Sequence, residues 1–209
     1  MTAFSFHPVK HITAGEGGAI TTNDDALATS MRSFRNHCMN RDHHKRQSQA
    51  TWEYDIESLG FNYRITDLNC ALATSQLSKL DRWLKRRSEI AAAYDEAFAG
   101  LTGIEMLKRS PDSTHAFHLY IVRVIAEQCG VDRATAFEQL RAEGIGVNVH
   151  YRPIHQLSLY AECASGRESN CPNAESAYAH ILSLPIFPKM KDQDVADVIA
   201  ACQKVFRKQ

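Results

Sequence analysis

The stretch from Thr66 to Gly100 constrains the fold more than any other part of the 209-residue chain. Thr66 is a suitable N-cap, and Leu68, Leu72, Gln76, Leu80, Leu84, Ala91, Tyr94 and Phe98 follow at helical spacing until Gly100 stops the pattern. A helix of roughly 30 residues is long for one domain and reads as a connector between two. Before it, Ala3–Phe6 and Ala19–Thr22 read as short strands around a glycine-rich loop, His7–Gly18. Asn23-Asp24-Asp25 then starts a helix bearing Leu27, Met31 and Phe34, and residues 36–58 are polar and irregular. After Gly103 the texture changes. Ile104–Leu107, Ala116–Val124 and Val147–Tyr151 read as strands, with helices over Arg133–Glu143, Asn173–Leu182 and Asp192–Phe206. The expected boundary is near residue 100, giving domains over 1–100 and 101–209.

Composition narrows the partners. Lysine plus arginine and aspartate plus glutamate are equal at 24 each, so no net field attracts a nucleic acid or an anionic membrane. No apolar run approaches the roughly 20 residues of a membrane span. The six cysteines show no paired spacing and no signal peptide precedes them, which reads as reduced thiols in a cytoplasmic protein. A strand-like run opens almost at Met1, as if a domain were cut partway through.

Lys10 stands out in the first loop. A lysine becomes a covalent catalyst when it is partly desolvated and held against a carbonyl carbon. Pro8 stiffens the backbone before it, and Gly15-Glu16-Gly17-Gly18 allows a tight return and close approach of main chain to a ligand. Ser5 offers a hydroxyl suited to a phosphate oxygen. By base rates a single lysine is a solvated surface group, so the wider string has to carry the argument.

That string, Ser5-Phe6-His7-Pro8-Val9-Lys10-His11-Ile12-Thr13-Ala14-Gly15-Glu16-Gly17-Gly18-Ala19, resembles the cofactor-lysine segment of the DegT/DnrJ/EryC1/StrS family of nucleotide-sugar aminotransferases. Three further segments resemble the same family, in the same order. They are Gly60-Phe61-Asn62-Tyr63-Arg64-Ile65-Thr66-Asp67-Leu68-Asn69-Cys70-Ala71-Leu72, then His150-Tyr151-Arg152-Pro153-Ile154-His155, and finally Ser183-Leu184-Pro185-Ile186-Phe187-Pro188. The resemblance covers essentially the whole chain. It implies an α/β chain of the fold type I class of pyridoxal-phosphate-dependent transferases: part of the large domain, followed by a small C-terminal α+β domain.

The resemblance also implies roles. Lys10 would hold pyridoxal 5'-phosphate as a Schiff base and serve as the proton-moving base. Ser5 would contact the cofactor phosphate, and Asn62 would reach the phosphate of a neighbouring subunit, so the expected assembly is a homodimer with a shared active site. His150, Tyr151, His155 and Gln156 are candidate contacts for sugar or nucleotide, and Arg64 for phosphate or substrate. The His-Pro-Val-Lys core and the His-Tyr-x-Pro-x-His segment sit nearest the branch that makes pseudaminic acid precursors. There the substrate is a UDP-linked 4-keto-6-deoxy-N-acetylhexosamine, aminated at C4 with glutamate as donor. Family members run to nearly twice this length. The N-terminal portion bears the aspartate that pairs with the pyridine nitrogen, so the isolated chain is expected to be inactive and to self-associate.

Alternatives come from other classes. A truncated or non-catalytic relative keeps the fold without the reaction, and an aminotransferase for another 3- or 4-keto nucleotide sugar keeps the reaction with a different substrate. His37, Cys38, His43 and His44 could gather around a metal, but their spacing matches no common zinc pattern, so no metal is expected. The basic residues Arg35, Arg41, Lys45 and Arg46 of the same loop could instead approach a substrate diphosphate.

Overall fold

Strands β1 (Thr2–Ser5) and β2 (Gly18–Thr21) pair antiparallel, with Thr2 opposite Thr21 and Ser5 opposite Gly18. The computed structural model describes residues 1–39, 54–163 and 171–207. It divides the chain into two compact units, Met1–Leu80 and Asp81–Gln209.

In the first unit, α1 (Asp25–Phe34) begins where Asp24 accepts the Leu27 N–H at 3.0 Å. Helix α2 (Asp67–Leu77) begins where the Thr66 hydroxyl accepts the Asn69 N–H at 3.2 Å. Neither helix has a buried residue. The apolar stripe of α1 therefore faces outward, with Leu27 and Phe34 exposed.

The expected single long helix is two. After α2 the chain breaks at Ser78-Lys79, and α3 (Leu80–Phe98) starts afresh. Local chemistry explains the break: the Thr74 hydroxyl bonds to Cys70 O and the Ser78 hydroxyl to Ser75 O, while the Ser78 and Lys79 N–H groups reach back to Thr74 O and Gln76 O. Serine and threonine hydroxyls that compete for helix carbonyls loosen the helix.

The second unit is a three-stranded antiparallel sheet in the order β3 (Ile104–Met106), β4 (Tyr120–Val124), β5 (Ile181–Leu184). Around it run α4 (Ala126–Cys129), α5 (Arg133–Ala142), a 3-10 turn (Ile154–Gln156), α6 (Ser158–Cys163), α7 (Pro172–His180) and α8 (Asp192–Phe206). Alternation on β4 buries Tyr120, Val122 and Val124, which share one core with Leu140, Leu182, Val198 and Phe206. Ile90, Ala91, Tyr94 and Phe98 of α3 belong to that core too. This is why the units divide between Leu80 and Asp81 and not near residue 100. The helix read as a connector is a core element of the second unit.

Two strand expectations also shift. Ala116–Leu119 does not join β4, because Phe117 has a left-handed backbone (φ 50°) and its carbonyl accepts a hydrogen bond from the buried Arg87 instead of from a strand. Among the described residues Val147–Tyr151 forms a single bridge, Asn148 to Ser183, and no strand. Ile181 and Leu182, expected at the end of a helix, start β5. Among the described residues no helix is long and apolar enough to cross a membrane.

Candidate active site

Ser5 closes β1, and the loop that follows is tied at both ends. The Phe6 N–H donates to Gly17 O (2.9 Å), and Phe6 O accepts from Ala14 N (3.0 Å) and from the Thr13 hydroxyl (2.9 Å). The Lys10 N–H donates to His7 O at 2.9 Å, forming a turn within the loop. Three bonds at Phe6 therefore pinch a loop whose middle carries a half-buried Lys10. Gly17 is required there: its φ is +134°, and a Cβ would come within 2.8 Å of Ile65.

A second element fixes the same loop. The Asn69 side-chain amide donates to Ala14 O, and the Asn69 carbonyl accepts from the Thr66 hydroxyl. The helix cap that opens α2 thus also holds the lysine loop. Sequence reading assigned Asn69 no role, although it lies inside a quoted segment; only the fold shows that it crosses to Ala14.

Ser5 Oγ accepts the His7 N–H at 3.3 Å, which leaves its hydroxyl proton to donate. Asn62 bridges to Asn36, and the Arg64 guanidinium clamps the two, with Nε to Asn62 Oδ1 at 3.0 Å and Nη1 to Asn36 Oδ1 at 3.1 Å. Arg64 therefore orients the Asn62 carboxamide, whose N–H groups have no partner among the described residues. A cavity of about 1060 Å3 in this unit is lined by Arg64 together with apolar groups such as Phe4, Met31, Phe34 and Tyr63. Ser5, Lys10 and Asn62 do not line it.

The remaining candidates lie in the second unit. His150 Nδ1 is 2.8 Å from Ser183 Oγ of β5, and burial lowers its pKa from the usual imidazole value. The His150 and Tyr151 rings meet edge to face at 4.6 Å, with Tyr151 otherwise exposed. His155 Nε2 pairs with Glu175 of α7 at 2.9 Å, and Gln156 sits in the 3-10 turn, its N–H on Pro153 O. Each histidine is thus anchored by a partner that sequence reading did not single out. Ser183 lies in the Ser183–Pro188 motif with no role given to it, and Glu175 falls within the expected Asn173–Leu182 helix.

The polar loop is described only at its start. His37 and Cys38 both adopt left-handed backbone, and Cys38 is buried with its thiol on Leu59 O at 3.5 Å. Arg35 caps α1. His43, His44, Arg41, Lys45 and Arg46 lie outside the described residues. Among the described residues no three histidine, cysteine or acidic side chains gather where they could hold a metal ion.

Comparisons with known proteins agree on one group. Residues 1–203 match the DegT/DnrJ/EryC1/StrS aminotransferase family. The chain is 38% identical over 208 residues to the spore coat polysaccharide biosynthesis protein SpsC of Bacillus subtilis, covering 99% of this chain and 54% of that one. The structure superposes on Helicobacter pylori PseC, an aminotransferase involved in the biosynthesis of pseudoaminic acid, with TM-score 0.86 and 30% identity over 98% of this chain and 52% of PseC. It superposes equally on S. venezuelae DesV, solved in complex with a ketimine intermediate, with TM-score 0.86 and 33% identity over 99% of this chain and 52% of DesV. The chain spans about half the length of the relatives it matches. Its mixed α/β architecture is part of the fold of these sugar aminotransferases. The chain belongs to the DegT/DnrJ/EryC1/StrS aminotransferase family.

Proposed function

We propose that this chain supplies the cofactor-lysine portion of a pyridoxal-phosphate-dependent nucleotide-sugar aminotransferase, with Lys10 as the residue that carries the cofactor. The observation that carries this reading is the pinched loop: Lys10 lies within a loop closed at Phe6 by its bonds to Gly17 and Ala14, and Asn69 holds that loop at Ala14. A loop so tied presents its amine without the entropy cost of ordering a free surface lysine.

The donor set fits the cofactor. Lys10 offers a half-buried primary amine, Ser5 a hydroxyl proton not used within the loop, and Asn62 a carboxamide oriented by Arg64. Ser5 and Asn62 are neutral donors suited to phosphate oxygens, Asn62 on the reading in which the site is shared by two subunits of a homodimer. When bound, pyridoxal phosphate supplies the electron sink for amino-group transfer. Lys10 Nζ takes the proton from the donor's Cα and later returns one to the sugar carbon, general base and then general acid at a single atom. Tyr151 and His155, with Gln156 and His150, are the proposed contacts to sugar and nucleotide. The Glu175 partner fixes the His155 ring for that task.

We further propose a UDP-linked 4-keto-6-deoxy-N-acetylhexosamine as substrate, aminated at C4 with glutamate as donor, in a cytoplasmic enzyme. The likeness to PseC and the His150–His155 segment support this choice. The test is isotopic. With the remaining half of the family's length supplied in the same chain or separately, 15N-glutamate should deliver its label to C4 of that sugar, read by mass spectrometry. Label delivered only to a 3-keto sugar would overturn the substrate; label delivered to no keto sugar would overturn the reaction.

A further inference from the structure

The hydrogen bond between His150 and Ser183 decides more than the ring's position. Ser183 is buried in β5, at 4% exposure. Its main-chain groups are both taken by Asn148, with N–H to Asn148 O at 2.8 Å and O from Asn148 N–H at 3.2 Å. Only the hydroxyl is left, and its one partner among the described residues is His150 Nδ1, 2.8 Å away. A buried hydroxyl proton has to find an acceptor. Nδ1 can accept it only when that nitrogen carries no proton. The opposite arrangement, Nδ1–H donating to Ser183 Oγ, would leave the hydroxyl proton without an acceptor among the described residues.

We propose that Ser183 is a positioning residue that holds His150 as the tautomer protonated on Nε2. The inference rests on the reading above that His150 is a ligand contact. A histidine so fixed presents an N–H donor. It suits a carbonyl, hydroxyl or diphosphate oxygen of a nucleotide sugar, and it does not offer a lone pair that could take a proton. His150 then contributes orientation and not acid–base chemistry. Burial favours the neutral ring and so keeps this tautomer in use near neutral pH.

The experiment is long-range 1H–15N correlation NMR on the 209-residue chain at about pH 8, above the ordinary imidazole range. His150 is assigned by its loss in His150→Gln. The expected pattern is protonated Nε2 and unprotonated Nδ1. In Ser183→Ala the lock is gone and the two nitrogens should average toward a mixture, while Ser183→Thr, which keeps the hydroxyl and suits a strand, should restore the original pattern. Protonated Nδ1 in the unmodified chain overturns the inference, and so does an unchanged pattern in Ser183→Ala. If Ser183→Ala does not fold, the unmodified chain and Ser183→Thr still decide. The nitrogen pattern requires no cofactor or substrate, so it fails or succeeds independently of the 15N-transfer assay, which bears on the site reading alone.

Discussion

Asp95 on α3 receives three hydrogen bonds: Arg109 Nη1 at 2.8 Å, Arg109 Nη2 at 2.5 Å and the Tyr120 hydroxyl at 2.7 Å. Partial burial works to raise its pKa, but the bonds from Arg109 and Tyr120 outweigh it and the net direction is down. A carboxylate whose pKa is depressed in the folded state adds stability above its unfolded value, about 3.9, and loses it as pH falls through the folded value. The melting midpoint of the second unit should therefore drop as pH falls below about 4, and Asp95→Asn should flatten that drop; thermal melts across a pH series check it. Arg87 is buried and donates from Nη1 to Phe117 O at 2.8 Å and Ile186 O at 2.9 Å. Arg87→Met keeps bulk but orphans these carbonyls, at an expected cost of about 1.5–3 kcal/mol in urea unfolding. At this scale the sequence was legible where residue type and neighbours coincide, as in Ser5 through Gly18. It was not legible where a bond spans the fold. Ala14 to Asn69, His150 to Ser183 and His155 to Glu175 join residues far apart in the chain, and no local spacing reports such a pairing.

The helix starts that are legible in the sequence carry their own punctuation. Asp24, Thr66 and Asp132 each accept an N–H three residues on, and each lies at or beside a helix start that the sequence marks. Thr66→Ala should lower stability by about 1 kcal/mol and also loosen the lysine loop, because Asn69 loses its bond to the Thr66 hydroxyl. Faster amide exchange at Ala14 and Gly15 would report the second effect; unchanged exchange there would contradict the link between cap and loop. Strand limits were less legible. Periodicity ran Ala116–Val124 together, but a left-handed Phe117 and the Arg87 clamp end the strand before Tyr120, and neither has a sequence signature. The break at Ser78 was missed because helical spacing continues straight across it. Leu140 on α5 is fully buried in the core. Leu140→Ala should cost about 2–5 kcal/mol, the usual range for a cavity of that kind, measured by denaturant unfolding.

The two units differ in how completely they bury their apolar residues. The second has one continuous core built from α3, α5, α8 and the sheet. The first leaves Phe4, Ile20, Leu59, Tyr63, Leu68 and Leu77 exposed at 50% or more, and among the described residues its sheet has two strands. Two strands and an apolar surface of this kind invite association. The chain should therefore self-associate in solution; a monomer on size exclusion with a single cooperative melt would contradict this. The central claim concerns Lys10, and one measurement reaches it directly. The 209-residue chain is incubated with pyridoxal phosphate and reduced with borohydride, and the modified lysine is located by peptide mass spectrometry. Labelling concentrated at Lys10, and absent from Lys10→Ala, is the predicted result. Label spread over the other lysines, or equal in the Lys10→Ala chain, would contradict it.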